Sequence, residues 1–156
     1  GGLLGGLVGV EITKKFLKIT ISSGDLMVYP LTFGIMVGRI GCFLAGLKDG
    51  TYGIETTLPW GINFGDGISR HPTNLYEIIF LGSLWLFLVR LEKKFTLTNG
   101  SRFKLFLAMY CLFRFLVEFI KPFGTFLILS PIQIASLLGL FYYYKVFLFP
   151  KKLIER

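Results

Sequence analysis

Histidine, cysteine and acid are all scarce in this chain, and each scarcity excludes something. Cysteine occurs twice, as Cys42 and Cys111, and both lie inside apolar blocks. Two separated buried cysteines make no disulfide framework. The single histidine, His71, leaves no metal-ligand spacing, so no metal and no cofactor is expected. There is no glycine-rich phosphate loop and no nucleophile elbow. Acidic residues number 9 against 17 Lys and Arg, a formal net charge of +8. In a soluble chain such an excess would suggest nucleic acid. Here the basic residues fall between apolar blocks and at the C-terminus. The reading is therefore topological, positive charge kept on one side of a membrane, with no nucleic-acid partner.

What the chain has in abundance is apolar surface. It is 53% hydrophobic, carries 17 phenylalanines and has a mean hydropathy of +0.67. The apolar residues form long continuous blocks rather than an alternating pattern. In lipid only helices or closed barrels satisfy every backbone group, and continuity argues for helices. The expectation is an all-α polytopic integral membrane bundle, one transmembrane domain over residues 1–156, with about five membrane-spanning helices. The chain opens on Gly-Gly-Leu-Leu-Gly-Gly, inside an apolar run too short to span alone. A fragment lacking upstream helices is expected.

Five blocks follow in order. The first runs from Gly1 to about Phe16. Its Gly2/Gly6 and Gly5/Gly9 pairs have the small-xxx-small spacing of closely packed helices. The second runs from Leu26 to Leu47, with Asp25 as a candidate cap for it and Pro30 in its first turn. Gly34 and Gly38 repeat the close-packing spacing. The third opens at Arg70-His71-Pro72-Thr73-Asn74-Leu75-Tyr76-Glu77 and runs to Val89, with Pro72 where the helix begins. The fourth is Phe103 to Phe119 and the fifth Phe126 to about Phe149. Between the second and third, residues 48–74 form a long polar, aromatic loop with turn signals at Asp49-Gly50, Pro59-Trp60-Gly61 and Asp66-Gly67.

Charge separates the loops. Lys14, Lys15 and Lys18 follow the first block; Arg90, Lys93, Lys94, Arg102 and Lys104 flank the turn after the third; the tail is basic. The 48–74 loop is nearly balanced. The positive-inside rule then places the basic segments in the cytoplasm and the 48–74 loop outside. Arg39, His71, Tyr76, Glu77, Arg114 and Glu118 all fall toward the outer half.

Arg39 is the most informative residue. It sits in the second apolar block, and a guanidinium does not lose its proton there. At membrane depth it costs at least about 2.5 kcal/mol. A carboxylate, a water-filled cavity or an anionic ligand must offset that. Gly38 and Gly41 leave room for a neighbouring backbone or a head group. Arg114 and Glu118, four apart, share a helix face and could form a self-neutralising structural pair. Arg70 approaching the same side would leave a surplus of guanidinium, which suits a phospholipid phosphate. His71 could act as general base or orient a partner. Tyr76 and Glu77 are interfacial polar candidates. Cys42 reads as packing, or as a thiol beside a cation.

These residues resemble motifs of the bacterial phosphatidylglycerol–prolipoprotein diacylglyceryl transferase family. Gly1-Gly2-Leu3 resembles the end of its His-Gly-Gly-Leu motif. Gly38-Arg39-Ile40-Gly41-Cys42-Phe43 resembles Gly-Arg-x-Gly-Asn-Phe. Leu58-Pro59-Trp60-Gly61 and the Arg70–Glu77 stretch resemble the next two. Arg114-Phe115-Leu116-Val117-Glu118-Phe119 resembles Arg-Phe-x-x-Glu-Phe, and Leu129-Ser130-Pro131-Ile132-Gln133 resembles Leu-Ser-x-x-Gln. The matches cover most of the chain in family order. Two positions depart from the family: Cys42 replaces the signature asparagine, and Leu47 replaces an acidic residue, with Asp49 nearby.

The resemblance implies seven helices, of which these would be the last five, in the bacterial inner membrane with the site facing outward. It implies transfer of the diacylglyceryl group of phosphatidylglycerol to a lipobox cysteine thiol in a preprolipoprotein, with release of glycerol phosphate. By it, Arg39, Arg114, Glu118 and His71 are candidate catalytic residues. Gly38, Gly41, Cys42, Arg70, Tyr76 and Glu77 are candidate substrate contacts. The alternative is a non-catalytic lipid-binding membrane protein or a small transporter of the same fold.

Overall fold

The computed structural model describes residues 2–18, 23–122, 129–149 and 153–154. Helix α1 (Gly2–Leu17) is followed by α2 (Gly24–Ala45), which tightens into a 3-10 turn over Gly46–Asp49. Strands β1 (Ile62–Asn63) and β2 (Ser69–Arg70) pair antiparallel, Ile62 opposite Arg70. Helices α3 (Thr73–Lys94) and α4 (Ser101–Val117) follow, the latter ending in a 3-10 turn, Glu118–Ile120. Helices α5 (Pro131–Tyr142) and α6 (Tyr144–Leu148) follow.

The helical prediction holds. α2 with its terminal turn (Gly24–Asp49) and α3 are long and apolar enough to cross a bilayer. Only 6% and 28% of their most apolar windows are buried, so their apolar side chains face outward. Leu26, Phe33, Val37 and Leu44 on α2 and Ile79 and Leu86 on α3 are exposed. A core helix of a water-soluble protein buries such groups; this exposure fits a membrane protein.

The inward faces follow helical spacing. On α3 the buried stripe is Asn74, Glu77, Leu81, Leu84 and Leu88. It meets Val28 of α2 and Phe106 and Leu107 of α4, all fully buried. Ser130 caps α5: its hydroxyl accepts from Gln133 N while the Gln133 side chain accepts from Ser130 N, with Pro131 at the first helical position.

Four expectations need correction. Asp25 does not cap its own helix. α2 begins one residue earlier, at Gly24, and the Asp25 carboxylate instead accepts from Gly100 N at 2.6 Å and Phe103 N at 2.8 Å. It satisfies orphan amides at the start of α4, while Arg102 donates back to the Asp25 carbonyl. Glu92 of α3 joins this latch by accepting from Tyr29 and pairing with Arg102. The early start of α2 also puts Pro30 in its second turn. Third, the fifth block is not one helix: it breaks at Tyr143. Its expected beginning at Phe126 lies outside the described residues.

Fourth, among the described residues the glycines do not seat a packed helix. Among the described residues, a methyl group at Gly2, Gly5, Gly6, Gly9, Gly34, Gly38 or Gly41 would meet nothing within 4 Å. The spacing correctly puts these positions on shared faces, but the faces at Gly2, Gly6 and Gly38 border a cavity.

The 48–74 segment is an ordered cover. All three turn signals form turns. At the β1–β2 turn, Gly65 and Gly67 take φ of +108° and +84°, and Asn63 Oδ1 accepts from both their amides. The segment is closed on itself by Gly53 N to His71 O at 2.8 Å and tied to the turn after α4 by Ile54 N to Ile120 O at 2.8 Å. A side chain at Gly53 would collide with His71 Cβ and with the Ile120 carbonyl oxygen, at 2.6 and 2.8 Å.

Candidate functional site

The end of α2, the start of α3 and the end of α4 meet beneath this cover. The α2 stripe of Val28, Thr32 and Ile35 reaches Arg39 one turn later, so the guanidinium projects inward. Glu77 occupies the inner face of α3 and is only 2% exposed. On α4 and its terminal turn, Tyr110, Arg114, Glu118 and Lys121 recur at spacings of four, four and three, which puts them on one face.

Glu77 is the hub. Its Oε2 lies 2.9 Å from Arg39 Nε and 3.0 Å from Arg114 Nη1, and its Oε1 accepts from Tyr110 Oη at 2.7 Å. Both carboxylate oxygens are therefore engaged, by donors from two other helices. Arg114 lies farther from Glu118, 3.9 Å. Its close partner is Glu77, not the residue one turn along its own helix.

Glu118 forms a second layer. Its Oε1 accepts from the Ser130 hydroxyl at 3.2 Å, which ties the α5 cap to the site. Its Oε2 sits 4.0 Å from Lys121 Nζ. The Lys121 side chain is 6% exposed. Burial, then the adjacent Arg114, pushes its ammonium pKa below the ordinary lysine value, against the opposing pull of Glu118.

These five side chains, half-buried or buried, carry three cations and two carboxylates, a surplus of one positive charge. Asp49 stands at the exposed rim, bonded to Thr51 and near the Cys42 thiol, where solvent screens it. A buried surplus of one cation suits a phosphodiester monoanion, and guanidinium can grip it bidentately.

A cavity of ≈ 660 Å³ opens at this cluster. Gly38, Arg39, Cys42 and Tyr110 form its polar end. Ile35, Leu31 and Met27 continue it along α2, and Gly2, Gly6 and Val10 of α1 line the facing wall. From Arg39 to Met27 is about 18 Å at 1.5 Å per residue, close to one leaflet's share of a hydrocarbon core about 30 Å thick.

The other expected residues divide. Gly41 has open space beside it. His71 Nδ1 and Tyr76 Oη are 2.9 Å apart, and Trp60 Nε1 donates to the same hydroxyl at 2.9 Å. This trio lies at the start of α3 and has no hydrogen bond to the Glu77 cluster among the described residues. Arg70 does not join the arginine pair. It bonds Asp66 across the loop turn at 2.7 Å and lies over the Tyr52 ring at 5.0 Å. That pairing holds the Asp66 carboxyl below its ordinary pKa range and the Arg70 guanidinium above its own. Three contributors were absent from the sequence-based site: Tyr110, Lys121 and Ser130. The α4 row would have revealed the first two, since both share the face of Arg114.

A family model described as prolipoprotein diacylglyceryl transferase matches residues 1–149. Phosphatidylglycerol–prolipoprotein diacylglyceryl transferases are among the similar curated proteins. The Pasteurella multocida protein is 35% identical over 124 residues, covering 78% of this chain and 45% of that one. The Coxiella burnetii protein is 35% identical over 133 residues, covering 75% and 46%. The Geobacter sulfurreducens protein is 36% identical over 124 residues, covering 78% and 46%. The chain thus spans about half the length of the curated relatives it matches.

Proposed function

The chain belongs to the prolipoprotein diacylglyceryl transferase family, and on that premise we propose that it forms the phospholipid-gripping part of a transferase acting on phosphatidylglycerol and a preprolipoprotein. Arg39 and Arg114 hold the phosphate, and the acyl chains lie along Ile35, Leu31 and Met27. The lipobox thiol gives its proton to a base. The sulfur then attacks the glyceryl carbon bonded to the phosphate oxygen. That carbon–oxygen bond breaks, and glycerol phosphate departs with the electron pair. The nucleophile belongs to the substrate, so the enzyme needs no serine or cysteine of its own. The arginines' work is electrostatic: they meet charge that grows on the leaving phosphate.

The observation that carries this reading is the convergence of Arg39 and Arg114 on Glu77, with Arg39 itself lining the polar end of an apolar cavity. The site residues proposed are Arg39, Arg114, Glu118 and His71, with Gly38, Gly41, Cys42, Tyr76 and Glu77 shaping the pocket. Arg70, engaged by Asp66, positions the covering loop. The non-catalytic alternative leans on the Cys42 and Leu47 departures. Against it, Asp49 lies near Cys42 of the cavity wall, so an acidic group stands close to the cavity despite Leu47. In the membrane, we place residues 1–156 as a single domain of five passes in the bacterial cytoplasmic membrane, with the 48–74 loop and the site outside.

The test is product formation. The intact protein is reconstituted with phosphatidylglycerol and a lipobox peptide. Mass spectrometry is expected to find the diacylglyceryl thioether and equimolar glycerol phosphate. Lipid binding without either product would favour the non-catalytic reading.

A further inference from the structure

A second cavity, of ≈ 390 Å³, lies at the start of α4, the opposite end of that helix from Arg114. Its size falls within the usual range of small-ligand sites, roughly 300–1,000 Å³. Lys104 of α4 and Lys145 of α6 line it, with the Thr98 and Ser101 hydroxyls, which are bonded to each other. Val146, Phe149 and Leu153 supply an apolar wall. The tail packs against the turn before α4: Leu97 pairs with Ile154, and Thr98 N donates to Leu153 O at 3.0 Å. None of the lining residues is acidic. Neither lysine is in an ion pair among the described residues, and the nearby Glu92 is taken by Arg102. Two ammoniums on one cavity without a counter-charge repel each other, and an anion between them relieves that.

We propose that this cavity binds the phosphate of an anionic phospholipid as a structural ligand, at a site separate from the transfer site. The phosphate oxygens accept from Lys104 and Lys145, and the glyceryl end of the lipid lies against Val146, Phe149 and Leu153. Helices α5 and α6 also expose Phe141, Phe147 and Leu148, apolar surface for the acyl chains. Basic pockets between membrane helices hold such head groups. Inorganic phosphate offers the same oxygens but nothing for the apolar wall. A lipid seated here ties α4, α6 and the tail together. The topology proposed above makes it a lipid of the cytoplasmic leaflet; the site itself does not depend on that orientation.

The experiment places the intact protein in nanodiscs of phosphatidylcholine, titrates in phosphatidylserine, and follows hydrogen exchange at residues 97–104 and 144–149. Both leaflets carry the lipid, so an inverted topology does not affect the result. Phosphatidylserine is expected to slow exchange at both segments. Lys104→Gln/Lys145→Gln is expected to weaken its apparent affinity by about 25-fold, about fivefold for each lysine. Lys93 and Lys94 are also basic and exposed but do not line the cavity, so Lys93→Gln/Lys94→Gln is expected to change it by less than about twofold. Equal weakening by the two pairs would mean diffuse surface charge and overturn the site, as would a wild type that phosphatidylserine does not protect. Inorganic phosphate added to pure phosphatidylcholine nanodiscs is expected to protect neither segment; protection equal to that by phosphatidylserine would overturn the lipid as the ligand. Arg39→Ala is expected to leave the protection intact even if it abolishes transfer. Protection lost in that variant would tie the effect to the transfer site and overturn a separate one.

Discussion

Glu77 organises the site because it is the only carboxylate within hydrogen-bonding distance of both Arg39 and Arg114 among the described residues. Removing one member of a buried ion group leaves uncompensated charge, which costs about 3–5 kcal/mol, whereas replacing the whole group with apolar residues is often neutral. Glu77→Leu alone should therefore destabilise the protein by about that much in detergent unfolding. The triple replacement of Arg39, Glu77 and Arg114 by leucine should recover most of the loss yet bind no phospholipid. A triple variant as unstable as the single one would show that these residues do more for the fold than cancel one another. Arg39 was legible from sequence because a charge in an apolar run must be answered. Glu77 was harder to read. It opens its helix beside polar neighbours and looks interfacial, and only its three-and-four spacing with Leu81, Leu84 and Leu88 marks it as inward. Lys121, beyond the last turn of α4, could be placed on that face only by extending the row from Tyr110.

At the scale of elements, the helices were legible and their mutual arrangement was not. Continuous apolar blocks gave α2, α3 and α4 to within a few residues. Nothing local to Asp25 says that it caps a helix starting 76 residues later; that bond exists only once α2 and α4 lie side by side. The break at Tyr143 carries no proline or glycine to announce it. Glycine spacing showed which positions share a face but not whether a helix or a cavity lies opposite. The latch yields a prediction of its own. Asp25→Ala removes the acceptor for two α4 amides and should cost about 0.5–2 kcal/mol, as loss of a cap does. Hydrogen exchange should accelerate first at residues 100–103. Uniform acceleration along α4 would contradict the capping role.

At the scale of the molecule, the proposed topology puts one end of the bundle outside the cell. The basic segments flank the opposite end from Arg39, and the ribbon of residues 50–72 covers the site. Cysteines introduced singly at Thr57 and Asp66, both exposed, should react with a membrane-impermeant thiol reagent added to intact cells. A cysteine at Lys93 should stay protected until the membrane is opened. The reverse pattern would invert the topology and put the site in the cytoplasm.

The most direct measurement is the rate of diacylglyceryl transfer by the intact, correctly inserted protein with Arg39→Ala and, separately, Arg114→Ala. If these guanidiniums stabilise the departing phosphate, each substitution should lower the rate by about 100-fold or more, with insertion and expression unchanged. Transfer at the wild-type rate in both variants would contradict the account at its centre.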